Sequence, residues 1–251
     1  MSKLDSQAQF GDRDAAEIDK VIAASAIAGY VGGVKMLKTL KGNVDTEDPQ
    51  VFEALYEKYR KSHTDIEKNV DQIPGFVDRD EKLPIKLRLP GRNSNRQLVA
   101  AATVEAAVHE AMHLNSSTSF QRDFGHAYNE GVTEYFTEVV LGPSGKAYRD
   151  QLELAKGLIT ALDPGGEAIV AKAYFNPSES QKLKLRIARA FGTANQARNY
   201  LNWQHRAASD NREDWTVAKD LLTAALANPA SPPASSGAGS GSGSGASGSG
   251  G

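Results

Sequence analysis

The sequence predicts a mostly helical α+β fold, and three observations carry that expectation. Leu98 to Leu114 contains neither Gly nor Pro, is rich in Ala, and sets Val104, Val108 and Met112 four apart, which is the buried stripe of a helix. Ile85, Leu87 and Leu89 alternate with Lys86 and Arg88 between Pro84 and Pro90, which is the period of a strand with one wet face. Beyond Asn129 the apolar residues recur at helical spacing, segment after segment, between Gly and Pro breaks.

The elements follow in order. Asp14 to about Leu40 reads as a helix that packs by a small face including Gly29 and Gly33, with Gly42-Asn43 as its stop. Within it Val21 to Val34 is free of charge; a membrane-active or delivery role is the functional alternative to packing, but fourteen residues are too few for a stable membrane span. Asp48-Pro49 opens a second helix that runs to about Asn69 with Val51, Phe52, Leu55, Tyr56 and Tyr59 on its apolar face. The strand Ile85 to Leu89 and the helix Leu98 to Leu114 come next. Asn115 to Ser119 suits a loop, Gly125 a break, and Asn129 to Val140 another helix. Further helices are expected over Tyr148 to Leu162, Glu167 to Phe175, Ser178 to Phe191, Thr193 to Gln204 and Asp214 to Leu226. From Asn228 onward Pro, Ala, Gly and Ser take over, and a stretch of that composition cannot bury apolar surface. The chain therefore divides into a helical N-terminal extension (1–43), a main domain (44–228) and a disordered tail (229–251).

Composition narrows the function. A chain of 251 residues, 40% hydrophobic and 24% charged, can bury a sizeable core. Its net charge of -2 lacks the basic excess that would neutralise phosphates, so no nucleic-acid partner is expected. The absence of cysteine removes disulfides, thiolate metal sites and thiol catalysis together. Met1 to Asp14 lacks the basic-then-apolar order of a secretory signal, which leaves a cytoplasmic location or export by a non-classical or injection route.

The chemistry concentrates in two segments. His109, Glu110, Ala111, Met112 and His113 spell H-E-x-x-H, and residues four apart on a helix present two imidazoles to one metal ion. Both histidines follow directly behind the apolar stripe of Val108 and Met112, so the metal face borders the core. With Glu110 beside the metal as general base, this pattern is that of a catalytic Zn2+ site, which needs a third protein ligand and an open position. With no cysteine available, His, Asp or Glu must supply that ligand. Glu130, Glu134 and Glu138 form a fourfold stripe on the next helix: Glu130 can complete the set, Glu134 can accept the free N–H of a ligand histidine, and Glu138 is solvated. Asp123 and His126 stand next in line as third ligand. Hydrolysis also needs a donor for the developing oxyanion, and His126, Tyr128 and Arg122 are candidates; His63 and His205 lack ligand spacing and read as ordinary.

His109 to His113 followed by Asn129, Glu130 and an acidic Glu134 resembles the gluzincin metallopeptidases, the thermolysin-like zinc enzymes. Glu-Ala-Met-His-Leu-Asn-Ser at 110–116 and Asn-Glu-Gly-Val-Thr-Glu-Tyr-Phe-Thr at 129–137 are similar to small bacterial zincin-like domains found in toxins and in cargo of contractile injection systems. The similarity extends through Gly75-Phe76, the strand at 85–89 and Ala173-Tyr174-Phe175, over roughly residues 44 to 190. The resemblance implies a zincin-like fold with a small sheet before the motif helix and a His109, His113, Glu130 zinc site oriented by Glu134; it also lets the edge of the strand at 85–89 hold an extended substrate, although an ordinary structural strand fits the pattern equally. It further implies a protein or peptide substrate and an effector or toxin role, with a secretion or injection apparatus as a partner. The competing expectation is a non-catalytic helical binding protein with a structural or vestigial zinc site.

Overall fold

Two helices packed against each other form the centre of the molecule, α4 (Arg96–Asn115) and α6 (His126–Leu141). The computed structural model describes residue 10 and residues 12–61, 73–89, 96–143, 148–206 and 212–227. Its architecture is α+β and mostly helical, with a three-stranded sheet that precedes the motif helix in the chain. On α4, Ala107, Val108, Ala111 and Met112 are fully buried, as the fourfold spacing predicts. Every residue of α6 from Ala127 to Glu134 is buried, so this helix runs through the interior rather than along a surface. Gly125, at φ +90°, sets the turn into it, a backbone conformation that L side chains rarely adopt.

Of the loop expected at Asn115 to Ser119, Ser116 and Ser117 make the turn, Asn115 ends α4, and Thr118 and Ser119 already belong to a further helix, α5 (Thr118–Phe124), which was not expected from the sequence. Ser117 caps it by accepting from the Ser119 amide at 3.2 Å, and Phe120 and Phe124, one turn apart, are fully buried. The polar Ser and Thr residues that suggest a loop are the cap and first turn of this helix.

In the sheet, β1 (Val44–Glu47) runs parallel to β3 (Ile85–Arg88), and β2 (Gly75–Val77) runs antiparallel to β3 on its other side. The predicted strand is therefore central, and the expectation that its edge is free for substrate is corrected: both of its edges are paired. Nor is Lys86 on a wet face. It is 9% exposed, and its ammonium reaches Asp45 at 3.3 Å and Glu47 at 3.9 Å on β1. Alternation marks the strand; the acidic neighbour strand decides what the lysine does.

A single N-terminal helix to Leu40 does not form. The segment divides into α1 (Asp12–Ala24), the one-turn α2 (Ile27–Tyr30) and a 3-10 turn at Val34–Met36. Ser25 breaks the first helix by accepting from the Ile27 amide at 3.2 Å, and Gly32 and Gly33 take φ of +95° and +116°. The small-face packing is also corrected, since a Cβ at Gly29 or Gly33 would meet nothing within 4 Å. What holds the segment is apolar: Ile18, Ile22 and Ile27 share one hydrophobic cluster with Val108, Met112 and Phe136, each contributing roughly 1.5–3 kcal/mol of burial. Asp19 caps the return at Leu40 N, 2.6 Å away.

The helix α3 (Pro49–Lys61) packs Phe52 and Tyr56 against Ile73 and Phe76 in a separate small cluster; the remainder of the expected helix to Asn69, with His63, lies outside the described residues. The C-terminal helices fall close to expectation: α7 (Arg149–Ala161), α8 (Gly166–Phe175), α9 (Ser180–Ala190), α10 (Ala194–Arg206) and α11 (Arg212–Ala227). A 3-10 turn at Pro177–Glu179, capped by Asn176, precedes α9 and takes the start expected of it. The tail at 229–251 and the side chain of His205 lie outside the described residues. Among the described residues no helix is long and apolar enough to cross a membrane.

Candidate metal centre

Helix geometry alone brings His109 and His113 onto one face of α4, with ring centroids 4.9 Å apart. Against that face α6 presents Glu130, whose Oε2 lies 3.2 Å from Nε2 of His109 and 3.2 Å from Nε2 of His113. The three ligand atoms lie within 4.8 Å of one another, a grouping that could hold a metal ion. The approach of α6 is fixed from behind by α7. Gly131 sits where an added Cβ would come 2.1 Å from the Gln151 carbonyl oxygen, so only glycine permits this contact.

Each imidazole is held at its other nitrogen. Nδ1 of His109 lies 3.1 Å from Glu134 Oε2, one turn beyond Glu130, in a position where the carboxylate is 1% exposed. Nδ1 of His113 lies 3.3 Å from both Asn129 and Thr133. With Nδ1 engaged on both rings, both Nε2 atoms face Glu130 and the space between them, where they can donate to the carboxylate or, deprotonated, ligate a cation. Donor set, tautomer control and convergence fit a divalent cation held by two nitrogens and one oxygen.

The electrostatics of the metal-free site point the same way. Burial disfavours the charged form of His109, yet its hydrogen bonds to Glu130 and Glu134 outweigh this and push its pKa up to about 10. Burial alone would raise Glu130, but the neighbouring charges of His113 and His126 and the bonds from both ligand imidazoles hold it well below the ordinary carboxylate range. Glu110, 5% exposed, is raised by burial against the pull of His113 and His109.

The site opens on a cleft of about 680 Å³. Glu110, His113 and Glu130 line it, together with Gly75 and Val77 of β2, Tyr59 of α3 and Tyr148 before α7. Tyr148, the one non-glycine at positive φ among the described residues, stacks on His109 with ring centroids 5.1 Å apart and planes 14° apart. Arg79 closes the end of α4 by donating to the carbonyls of His113 and Ser116. No local pattern singles out Tyr59, Tyr148 or Arg79 in the sequence, because three remote elements bring them to the cleft.

Of the proposed oxyanion donors, His126 lines the cleft with Nδ1 3.5 Å from Glu130 Oε1, and Arg122 lies at the rim with its side chain 75% exposed. Tyr128 does not reach the site: it is fully buried among Phe120 and Phe124, and its hydroxyl has no hydrogen-bond partner among the described residues. Its position two residues before Glu130 turns it to the opposite face of α6. Glu138 is not simply solvated; it pairs with Lys156 at 2.6 Å. Asp123 pairs with Lys184 at 3.3 Å and is not among the converging ligands. Comparison with protein-family models, with curated proteins and with solved structures found no match for this chain.

Proposed function

We propose that this chain is a zinc-dependent peptidase of gluzincin type, with His109, His113 and Glu130 as metal ligands and Glu110 as general base. The observation that carries the proposal is the convergence of two Nε2 atoms and one carboxylate oxygen, each imidazole backed at Nδ1, on the wall of an open cleft beside a buried glutamate. Zinc suits two imidazoles and a carboxylate, and when bound it would polarise the scissile carbonyl and acidify water. Glu110 takes one proton from the attacking water and delivers it to the amide nitrogen as the C–N bond breaks, so no covalent enzyme intermediate is needed. His126 and Tyr148 line the same cleft and are the candidate donors to the charge that develops on the oxygen.

A peptide substrate is supported by β2. Arg88 N donates to Pro74 O and Asp78 N to Pro84 O, so alternation turns the backbone groups of Gly75 and Val77 away from β3. Among the described residues that outer edge is unpaired, and it borders Glu110, whose Cγ an added Cβ on Gly75 would approach to 3.0 Å. An extended chain can add to it as a fourth strand. This edge takes over the substrate-holding role first expected of β3. The sequence resemblance adds a biological role, that of an effector or toxin acting on another protein.

A second reading, a closed structural zinc site, is favoured by one observation, the proximity of His126 to Glu130. A crystal structure of the zinc-loaded protein separates the two. Solvent in the fourth position supports the enzyme, and coordination by His126 supports the structural site. Stripping the metal with a chelator should abolish peptide hydrolysis, and added zinc should restore it.

A further inference from the structure

The two ligand histidines are backed differently. His109 has a carboxylate at Nδ1, whereas His113 has the neutral hydroxyl of Thr133. Thr133 Oγ1 stands at the meeting point of three contacts: Asn129 O at 2.7 Å, the Tyr174 hydroxyl at 2.7 Å and His113 Nδ1 at 3.3 Å. A hydroxyl has one proton to give and two lone pairs to accept with. The Asn129 carbonyl can only accept, so the Thr133 proton goes there. Both remaining contacts must then be donors, Tyr174 O–H and His113 Nδ1–H.

That assignment has a consequence for the metal. With the Nδ1 proton held by Thr133, the nitrogen that gives its lone pair to a cation is Nε2, the atom that faces Glu130. The Asn129 atom 3.3 Å from the same Nδ1 is the amide Nδ2; a proton on Nδ1 requires the opposite amide assignment, with Oδ1 in that place as a second acceptor. Thr133 and Tyr174 are both fully buried, so no bulk water competes for these bonds. Tyr174 is itself fixed: its carbonyl accepts from Ser117 N at 2.7 Å and its ring packs against Phe120, Phe136 and Phe175.

We propose that Thr133 and Tyr174 are a positioning pair that fixes the tautomer and orientation of His113, and thereby ties the metal affinity of the site to helix α8. The proposal rests on the metal-centre reading above and deepens it. Neither residue touches the metal or the substrate; both act through His113.

The test uses the full chain and zinc alone as probe. Thr133→Val keeps the shape and removes the acceptor, and should weaken zinc binding in chelator competition by about 10- to 100-fold. Tyr174→Phe should weaken it in the same direction but less, because Thr133 can still accept from Nδ1. Thr133→Ser should restore wild-type affinity, a rescue that a purely packing role would not give. Long-range 1H–15N spectra of His113 provide the second readout: a protected Nδ1 proton in the wild type, lost or rapidly exchanging in Thr133→Val. Wild-type zinc affinity in Thr133→Val, failure of the serine rescue, or a His113 without a proton on Nδ1 would overturn the proposal. Should Thr133→Val not fold, Tyr174→Phe and the serine variant carry the same comparison. If the wild type itself binds no zinc, the metal-centre reading fails; the Nδ1 spectrum of the metal-free protein still decides the pair, by its sensitivity or insensitivity to Tyr174→Phe.

Discussion

Replacing Gly131 by Ala tests how α7 sets the position of the third ligand. The added Cβ would lie 2.1 Å from Gln151 O and 2.6 Å from Gln151 C, whereas Cβ contacts below 3.0 Å essentially do not occur. These are backbone atoms inside a helix, so α6 and α7 must separate by about 1 Å. Overpacking of this kind costs about 1–3 kcal/mol, with a rigid obstacle at the upper end, while alanine returns about 1 kcal/mol of helix propensity. The net expectation is a loss of about 2 kcal/mol, or roughly 4–8 °C in Tm for a chain of this size. Glu130 is the adjacent residue, so the same shift moves its carboxylate off the two Nε2 atoms, and a displacement near 1 Å should lower turnover by about 100-fold. Gly157→Ala is the control, because its Cβ meets only the movable Leu222 side chain, Cδ2 at 2.5 Å and Cγ at 3.5 Å. Calorimetry and peptide-hydrolysis kinetics on both variants read the two effects. If Gly131→Ala matches wild type in Tm and turnover, the close approach of α7 does not position Glu130 and the reasoning fails.

Other outcomes follow from the site. Zinc retention after dialysis against a weak chelator should rank wild type, then Glu134→Ala at about 10- to 100-fold weaker, then Glu130→Ala; an inverted order would make Glu134 the ligand. Tyr128→Phe should leave activity and zinc content unchanged, since its hydroxyl faces the core without a partner, and a loss of turnover would contradict that placement. In the metal-free protein the raised pKa of His109 contributes stability that is fully present below its unfolded value, near 6.5, and is lost as pH rises through about 10. The metal-free Tm should therefore fall between pH 7 and pH 10 by more than that of a metal-free His109→Gln variant; equal falls would show that the imidazolium is not held by Glu130 and Glu134.

Much of the centre is legible in the chain because it is built from local periodicity. The fourfold spacing of Val104, Val108 and Met112 gives α4 and its buried face, and the spacing of Glu130 and Glu134 puts the proposed third ligand and its neighbour on one face of α6. His126 belongs to the same stripe one turn earlier, which explains its contact with Glu130. What local pattern does not carry is tertiary. β1 is acidic and only four residues long, and its Asp45 and Glu47 become meaningful only against Lys86. The Thr133 hydroxyl reads as an ordinary helix residue until Tyr174, on another helix, is brought 2.7 Å from it. The cleft wall likewise gathers Tyr59, Arg79 and Tyr148 from three separate elements.

The central claim, Glu110-dependent hydrolysis of peptide bonds, is tested most directly by exposing a bacterial and a eukaryotic proteome to the zinc-loaded protein and reading new N-termini by mass spectrometry. The wild type should generate a reproducible set of cleavage sites. Glu110→Gln should generate none of them while binding zinc as tightly as the wild type, because the amide replaces a residue that is not among the ligands. Identical N-termini from both proteins, or none from a wild type with zinc bound, would contradict the account.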